Sequence, residues 1–272
     1  MGRGGGAQVK RLLAAALAAL ALGSCDQQRV LRACADPNNL PFSNRAGEGF
    51  ENKLAELIAA DLGARLQYVW WAQRRGYVRN TLNELQCDFW PGIGSNVEMA
   101  ATTRPYYRST YVFVTRADAP LEGLTLDDPR LKRLRIGVQL VGDDASNTPP
   151  AHALSRRGLV ENIRGYMLYG DYSRPNPPAE IVQAVTRGDV DVALVWGPLA
   201  GYFAARSPVP LRSEPVTPWL DDMQWPMQFD VSAGVRKDDQ ALLKDIDRVL
   251  ARRSADIRRL LRAYNVPLVE AQ

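Results

Sequence analysis

Past residue 28, apolar positions fall into short runs that switch between strand-like blocks and the spacing of a helix face. Arg29–Asp36 reads as a short strand that ends at Pro37 and a polar turn. Phe50, Leu54, Leu57, Ile58 and Leu62 then repeat at helical spacing, one apolar stripe to lay against a sheet, and Gly63 closes that helix. Arg65–Trp71 predicts a second strand, Val78, Leu82 and Leu85 a second helix, and Cys87–Trp90 the start of a third strand. Strands alternating with helices imply a parallel sheet with right-handed crossovers.

Tyr111–Thr115 is a β-rich run, and after it the alternation restarts. Leu134–Leu140 and Arg164–Tyr169 predict strands, with a short helix over His152–Gly158 between them. Ile181, Val182 and Val185 mark a helix that stops at Gly188. Val190–Trp196 is almost continuously apolar, as a strand covered on both faces should be. Pro208–Pro218 is extended and proline-punctuated, Phe229–Val235 is a late strand, and helices follow over about Gln240–Leu250 and Ala255–Ala263. The restart predicts an α/β fold of two lobes with central mixed sheets and a two-segment hinge, its crossings near 111–116 and 208–216. Residues 25–116 would open lobe one, 117–212 would form lobe two, and 213–272 would return to lobe one.

Ahead of this pattern, Arg3, Lys10 and Arg11 precede an unbroken apolar stretch from Leu12 to Leu22, followed by Gly23, Ser24 and Cys25. Residues 1–24 follow the plan of an export signal, and the apolar stretch is too short for an ordinary membrane span. Leu22-Gly23-Ser24-Cys25 resembles a bacterial lipobox, with Cys25 as the lipid-bearing residue. Small residues before the cut suit simple cleavage equally, so both routes stay open. Any membrane association would come only through a lipid at Cys25.

Composition alters this picture little. The 272 residues are 46% hydrophobic, enough for a sizeable core, and the 18 prolines and 21 glycines are spread rather than clustered, which argues against low-complexity disorder. The net charge is +4, but the leader carries three of the basic side chains and no acidic one. No basic stripe is left to bind nucleic acid. Two cysteines remain after the leader, Cys34 and Cys87, and in an exported protein an isolated pair is more often bonded than reduced. Closing a loop of about 50 residues could contribute roughly 3–4 kcal/mol. One histidine, His152, and no CxxC spacing give a metal site no support, and no cofactor is expected.

Several runs carry a resemblance. Leu31-Arg-Ala-Cys-Ala-Asp-Pro-Asn-Asn-Leu-Pro-Phe-Ser leads into Gly49-Phe-Glu-Asn, and Pro105-Tyr106-Tyr107 precedes Tyr111-Val-Phe-Val. Gly188-Asp-Val-Asp-Val-Ala-Leu-Val and Val231-Ser-Ala-Gly-Val-Arg-Lys-Asp follow in order. Together they resemble the type 2 periplasmic solute-binding proteins across nearly the whole chain after the leader. Cys34–Asn44, Arg104–Val114, Thr148–Leu154, Gly165–Tyr172 and Trp196–Phe203 are similar to one subfamily, the quinoprotein-dehydrogenase-associated binding proteins of methanol-oxidation clusters (MoxJ/XoxJ type). The resemblance implies a periplasmic accessory to a pyrroloquinoline-quinone (PQQ) alcohol dehydrogenase, acting in its maturation or activation. Its partner would be the dehydrogenase or the cytochrome that serves it.

Ligands of open α/β sheets sit at the carboxyl ends of strands. That rule collects Asn39, Pro41 and Phe42 after the first strand, Trp71 and Arg74 after the second, and Trp90, Pro91 and Gly92 around the third. Lobe two would add Asn147 and Thr148 near a helix start, and Trp196, Gly197 and Pro198 after its apolar strand. Amino-acid receptors of the resembled fold grip a carboxylate with an arginine; Asn96 or a neighbour stands there, and Arg104 is assigned to stiffening the hinge. They also hold an ammonium with an aspartate, where this chain has Trp196. Both charged anchors are missing, which predicts an apolar ligand or an inserted partner segment.

Strand-end tryptophans also serve as core filler, so two of Trp71, Trp90 and Trp196 are expected in the cleft. Arg74-Arg75 and Arg156-Arg157 read as solvated faces, His152 as structural, and Asp143-Asp144 as a loop with an N-cap. Glu48 and Glu51, at a helix start near the cleft, read as partners of the helix dipole. No nucleophile elbow or phosphate-binding loop supports catalysis. Three functions remain: a dehydrogenase accessory, a receptor feeding an importer for a small solute other than an amino acid, and, least supported, a hydrolytic or dehydratase-like enzyme.

Overall fold

A computed structural model describes residues 29–74, 76–141, 147–168 and 172–270. The leader, Cys25 and Asp143-Asp144 lie outside the described residues. Nine strands of five or more residues and seven α-helices are found among those described. The first lobe opens with β1 (Val30–Ala35), α1 (Phe50–Asp61), β2 (Arg65–Trp70), the single-turn α2 (Tyr77–Asn80) and β3 (Phe89–Gly94). The long β4 (Tyr107–Arg116) leads into β5 (Ile136–Leu140), α3 (Pro149–Arg156), β6 (Ile163–Met167), α4 (Glu180–Arg187) and β7 (Val192–Trp196). Then come α5 (Gly197–Ala204), β8 (Leu211–Pro215), β9 (Gln228–Val235), α6 (Gln240–Arg252) and α7 (Ser254–Ala263).

One hydrogen-bonded path joins the strands in the order β2-β1-β3-β9-β4-β7-β5-β6, with β8 on the flank of β4. Strands linked by helices pair in parallel, β1 with β2 and β3, and β5 with β6 and β7. The strands that cross between lobes pair antiparallel. Tyr107–Thr110 of β4 face β9, and from Tyr111 onward the same strand faces β7 and β8. A mixed sheet therefore arises because β4 belongs to both lobes.

Each lobe has its own core. Phe50, Leu54 and Ile58 of α1 pack with Phe89, Ala233 and Val235 and with Ile246 and Leu261 of the last two helices. Phe113, Ile136, Val138, Leu154 and Leu194 build the second core. Of the stretch expected to return to lobe one, Val216 and Met227 pack in this second core, and Val231 onward packs in the first. Cys34 and Cys87 form a disulfide with Cα atoms 5.4 Å apart, inside a small cluster with Tyr77, Val78 and Leu82.

Two elements depart from the sequence pattern. The expected helix through Leu85 ends after one turn, where the Thr81 hydroxyl donates back to the Tyr77 carbonyl at 2.6 Å; Leu85 takes a positive φ and is exposed. Conversely, α5 follows β7 directly and has no sequence signature, because apolar Gly197–Ala204 shows no helical period and contains Gly197, Pro198 and Gly201. Gly201 is needed: a Cβ there would lie 1.9 Å from the Asn265 carbonyl oxygen.

Candidate functional site in the interlobe cleft

A cavity of about 350 Å³ lies between the lobes, at the carboxyl ends of β1, β3, β5 and β7. From lobe one come Asn39, Phe42, Glu51, Gln73, Gly92, Tyr107 and Val231; from lobe two, Gln139, Leu168, Pro178, Trp196 and Leu199. Tyr111 and Phe229 sit where the crossing strands meet.

The loop after β1 is pinned beneath α1. Phe50 N donates to the Pro41 carbonyl at 2.8 Å and Glu51 N to that of Phe42 at 2.9 Å. So close an approach needs Gly49, since a Cβ there would stand 2.0 Å from the Phe42 carbonyl oxygen. This tether puts Phe42 on the cavity and turns the side chain of Glu51 inward with it. Glu51 is only 7% exposed, and its Oε1 fills the space a Cβ on Gly92 would occupy, 2.0 Å away. No described residue donates a hydrogen bond to the Glu51 carboxyl or pairs with it. Burial, reinforced by the negative charge of Asp36, pushes its pKa up to about 8.

Asp36 is treated oppositely. Its Oδ1 accepts from Asn38 N at 2.8 Å, and its Oδ2 accepts from Gln73 N at 2.6 Å and from the Tyr172 hydroxyl at 2.5 Å. The last bond crosses from lobe to lobe. Beside it Asn38 donates to the Arg174 carbonyl at 2.8 Å, its side-chain oxygen accepts from Asn176 N at 3.0 Å, and the Arg74 guanidinium lies 4.7 Å above the Tyr172 ring. These contacts clasp one side of the cleft mouth. Burial and the bond to Asp36 hold the Tyr172 hydroxyl far above its ordinary pKa.

From lobe two, Trp196 meets Tyr111 and Phe229 edge-on, with ring centroids 5.2 and 5.9 Å away. Trp196 N donates to the Gln139 side-chain oxygen at 3.3 Å. Burial raises the Tyr107 and Tyr111 hydroxyls well above their ordinary values, so both stay protonated.

Of the residues collected from the sequence, Asn39, Phe42, Gly92 and Trp196 line the cavity. Pro41 supports it through its carbonyl, and Arg74 stands at the clasp. Asn147 and Thr148 sit behind Gln139: the Thr148 hydroxyl donates to the Gln139 carbonyl at 2.7 Å, and Asn147 accepts from Val141 N at 3.2 Å. Pro198 is buried in the first turn of α5. One tryptophan, not two, reaches the cavity. Trp71 is 45% exposed on the outside, and Trp90 packs against Tyr77 in the disulfide cluster, ring centroids 4.7 Å apart. Trp90 and Gly92 share one face of β3, yet only the second is within reach of the cleft.

Three other expectations change. Arg104 pairs with Asp247 of α6 in lobe one at 2.7 Å. Arg156 and Arg157 are not merely solvated: both hold buried Asp221, at 3.1 and 2.8 Å. Glu51 does more than face a helix dipole. The one signal that could have found it is not local: Gly92, a glycine inside a distant strand, leaves the space its carboxyl occupies. His152 stacks on Trp225 at 4.0 Å and accepts from Asn147 N, a structural position.

The model of bacterial extracellular solute-binding proteins, family 3, matches residues 31–266. This chain belongs to that family. Within it the chain is of the MoxJ type. It is 34% identical over 251 residues to Protein MoxJ of Methylorubrum extorquens, covering 88% of this chain and 81% of that protein. To Protein MoxJ of Paracoccus denitrificans it is 32% identical over 277 residues, covering 96% and 97%. The crystal structure of periplasmic binding protein XoxJ from Methylobacterium extorquens AM1 superposes with a TM-score of 0.73 at 40% identity, over 89% of this chain and 100% of that one. The two-lobe α/β architecture is that of the type 2 periplasmic binding proteins.

Proposed function

We propose that this chain is a periplasmic accessory of a PQQ-dependent alcohol dehydrogenase, holding a segment of that enzyme or of its cytochrome partner in the interlobe cleft during maturation or activation. Similarity to MoxJ-type proteins over almost the whole chain supports the context. The cleft supports the mode of action. Phe42, Tyr107, Tyr111, Trp196 and Phe229 line it, and among its described lining residues there is no arginine or lysine. A free amino acid would bury its carboxylate there without a cation, at a cost of several kcal/mol. An apolar segment loses little and gains about 25 cal/mol per Å² covered. On this reading the protein binds rather than catalyses.

The test is activation. Purified full chain is mixed with apo-dehydrogenase and quinone, and recovery of alcohol oxidation is followed in time. Faster recovery with the chain present supports the reading; equal recovery, without co-purification, contradicts it. A second reading, delivery of a small solute to a membrane importer, is favoured by the clasp, which joins the lobes on one side of the mouth of a cavity of about 350 Å³. Permease and ATPase genes beside this one, in place of a dehydrogenase and c-type cytochrome, would select it.

A further inference from the structure

We propose that the floor of the cleft is a binding site for a primary ammonium group carried on an apolar stem, with Glu51 as its anionic partner. The inference goes beyond the dehydrogenase reading and does not need it, because the ammonium can arrive on a free alkylamine or on a lysine side chain.

A carboxyl is rarely buried without a donor, because its lone pairs lose water and gain nothing. Glu51 is such a group, and the fold makes room for it, with Gly92 leaving the space its Oε1 occupies. A methionine would fill that volume at less cost, so the carboxyl points to what enters the cavity. The charges around it choose the ligand. Asp36 adds negative potential from just after β1, Tyr77 of α2, Tyr106 just before β4 and Tyr107 at its start face Glu51 as neutral phenols, and lobe two offers the uncharged Gln139, Leu168 and Trp196. An anion would find no cation among the described lining residues and would meet the negative charge of Asp36. A primary ammonium can donate to Glu51 and to the amide oxygens of Asn39 or Gln73, and its stem can lie against aromatic faces that favour cations. Since burial holds the Glu51 carboxyl protonated near neutral pH, seating the cation displaces that proton: carboxylic acid plus ammonium gives an ion pair plus one proton to buffer.

The test is calorimetric titration of the full chain with n-hexylammonium, n-hexanol and hexanoate at pH 7, in buffers of different ionisation enthalpy. The expected result is ammonium binding at least about ten-fold tighter than the alcohol, the return of one charge-assisted bond. Hexanoate should not bind, and a proton should be released with the ammonium. Glu51→Gln, its folding checked by circular dichroism, should reduce the ammonium to the affinity of the alcohol and abolish proton release. Equal affinity of ammonium and alcohol, or unchanged ammonium binding by Glu51→Gln, overturns the proposal. Nα-acetyl-lysine methylamide separates the sources: binding comparable to hexylammonium assigns a lysine side chain, and its exclusion while hexylammonium binds assigns a free amine. Dehydrogenase activation is read independently, so either idea can fail without the other.

Discussion

Two carboxyls stand on the cleft, and the chain treats them in opposite ways. Asp36 receives three donors, one of them from the facing lobe, and serves to hold the mouth together. Glu51 is also buried and receives none from the described residues. The difference separates a structural acid from one kept available. It also separates the mouth, where polar contacts are complete within the protein, from the floor, where a polar atom waits among aromatic rings.

The comparison can be broken by experiment, most strongly at Glu51. Its folded pKa of about 8 lies above the ordinary value of 4.5, so the folded protein binds the extra proton between those limits. Stability from this group is therefore lost as pH rises from about 4.5 to about 8 and is flat above. Glu51→Gln removes that slope, and its stability relative to the parent should rise by roughly 3 kcal/mol from pH 5 to pH 8 in urea titrations. Parallel pH profiles would mean that the carboxyl has a partner. Asp36→Ala should show the contrary pattern, a loss of about 2–3 kcal/mol near neutral pH, because it strands the donors now satisfied by one carboxylate.

Gly92→Ala tests whether the floor was shaped around Glu51. The new Cβ would stand 2.0 Å from Glu51 Oε1, so a loss of about 1–2 kcal/mol is expected, shrinking in a Glu51→Ala background. An equal loss in both backgrounds would place the strain elsewhere. The smallest effect is expected from Tyr172→Phe, about 1 kcal/mol in stability, with a wider lobe separation by small-angle scattering. Unchanged scattering and stability would show that the clasp does not hold the mouth.

The fold was legible where periodicity and punctuation agreed. The stripe from Phe50 to Leu62 closing on Gly63 and the apolar Val190–Trp196 follow from short-range rules that tertiary structure respects, and the disulfide follows from an isolated pair of cysteines in an exported chain. Elements whose stability comes from packing were not. Helix α5 exists because Gly197 and Gly201 permit close contact with Pro267 and Asn265, which no local period encodes. The site was half legible for a related reason. Strand ends locate a cleft, which brings in Phe42, Gly92 and Trp196, but which strand-end side chain enters it depends on the pleat and on neighbours. Trp90 turned to Tyr77, and Trp71 turned to solvent. Gln139 ends a strand and was accessible to the same rule. Glu51 was seen and given the common role of a first-turn acid, because nothing local distinguishes an acid facing water from one beneath a glycine in another strand.

The proposed role has the cleft receive part of a quinoprotein dehydrogenase or its cytochrome. Its most direct measurement is equilibrium binding of the full chain to purified apo- and holo-dehydrogenase and to the cytochrome, comparing the parent with Trp196→Ala. A complex is expected at micromolar concentration or below with at least one of these, weakened about ten-fold or more by loss of the Trp196 ring, the cost of one aromatic anchor. No association with any of them at micromolar concentration, or an affinity indifferent to Trp196, would contradict it.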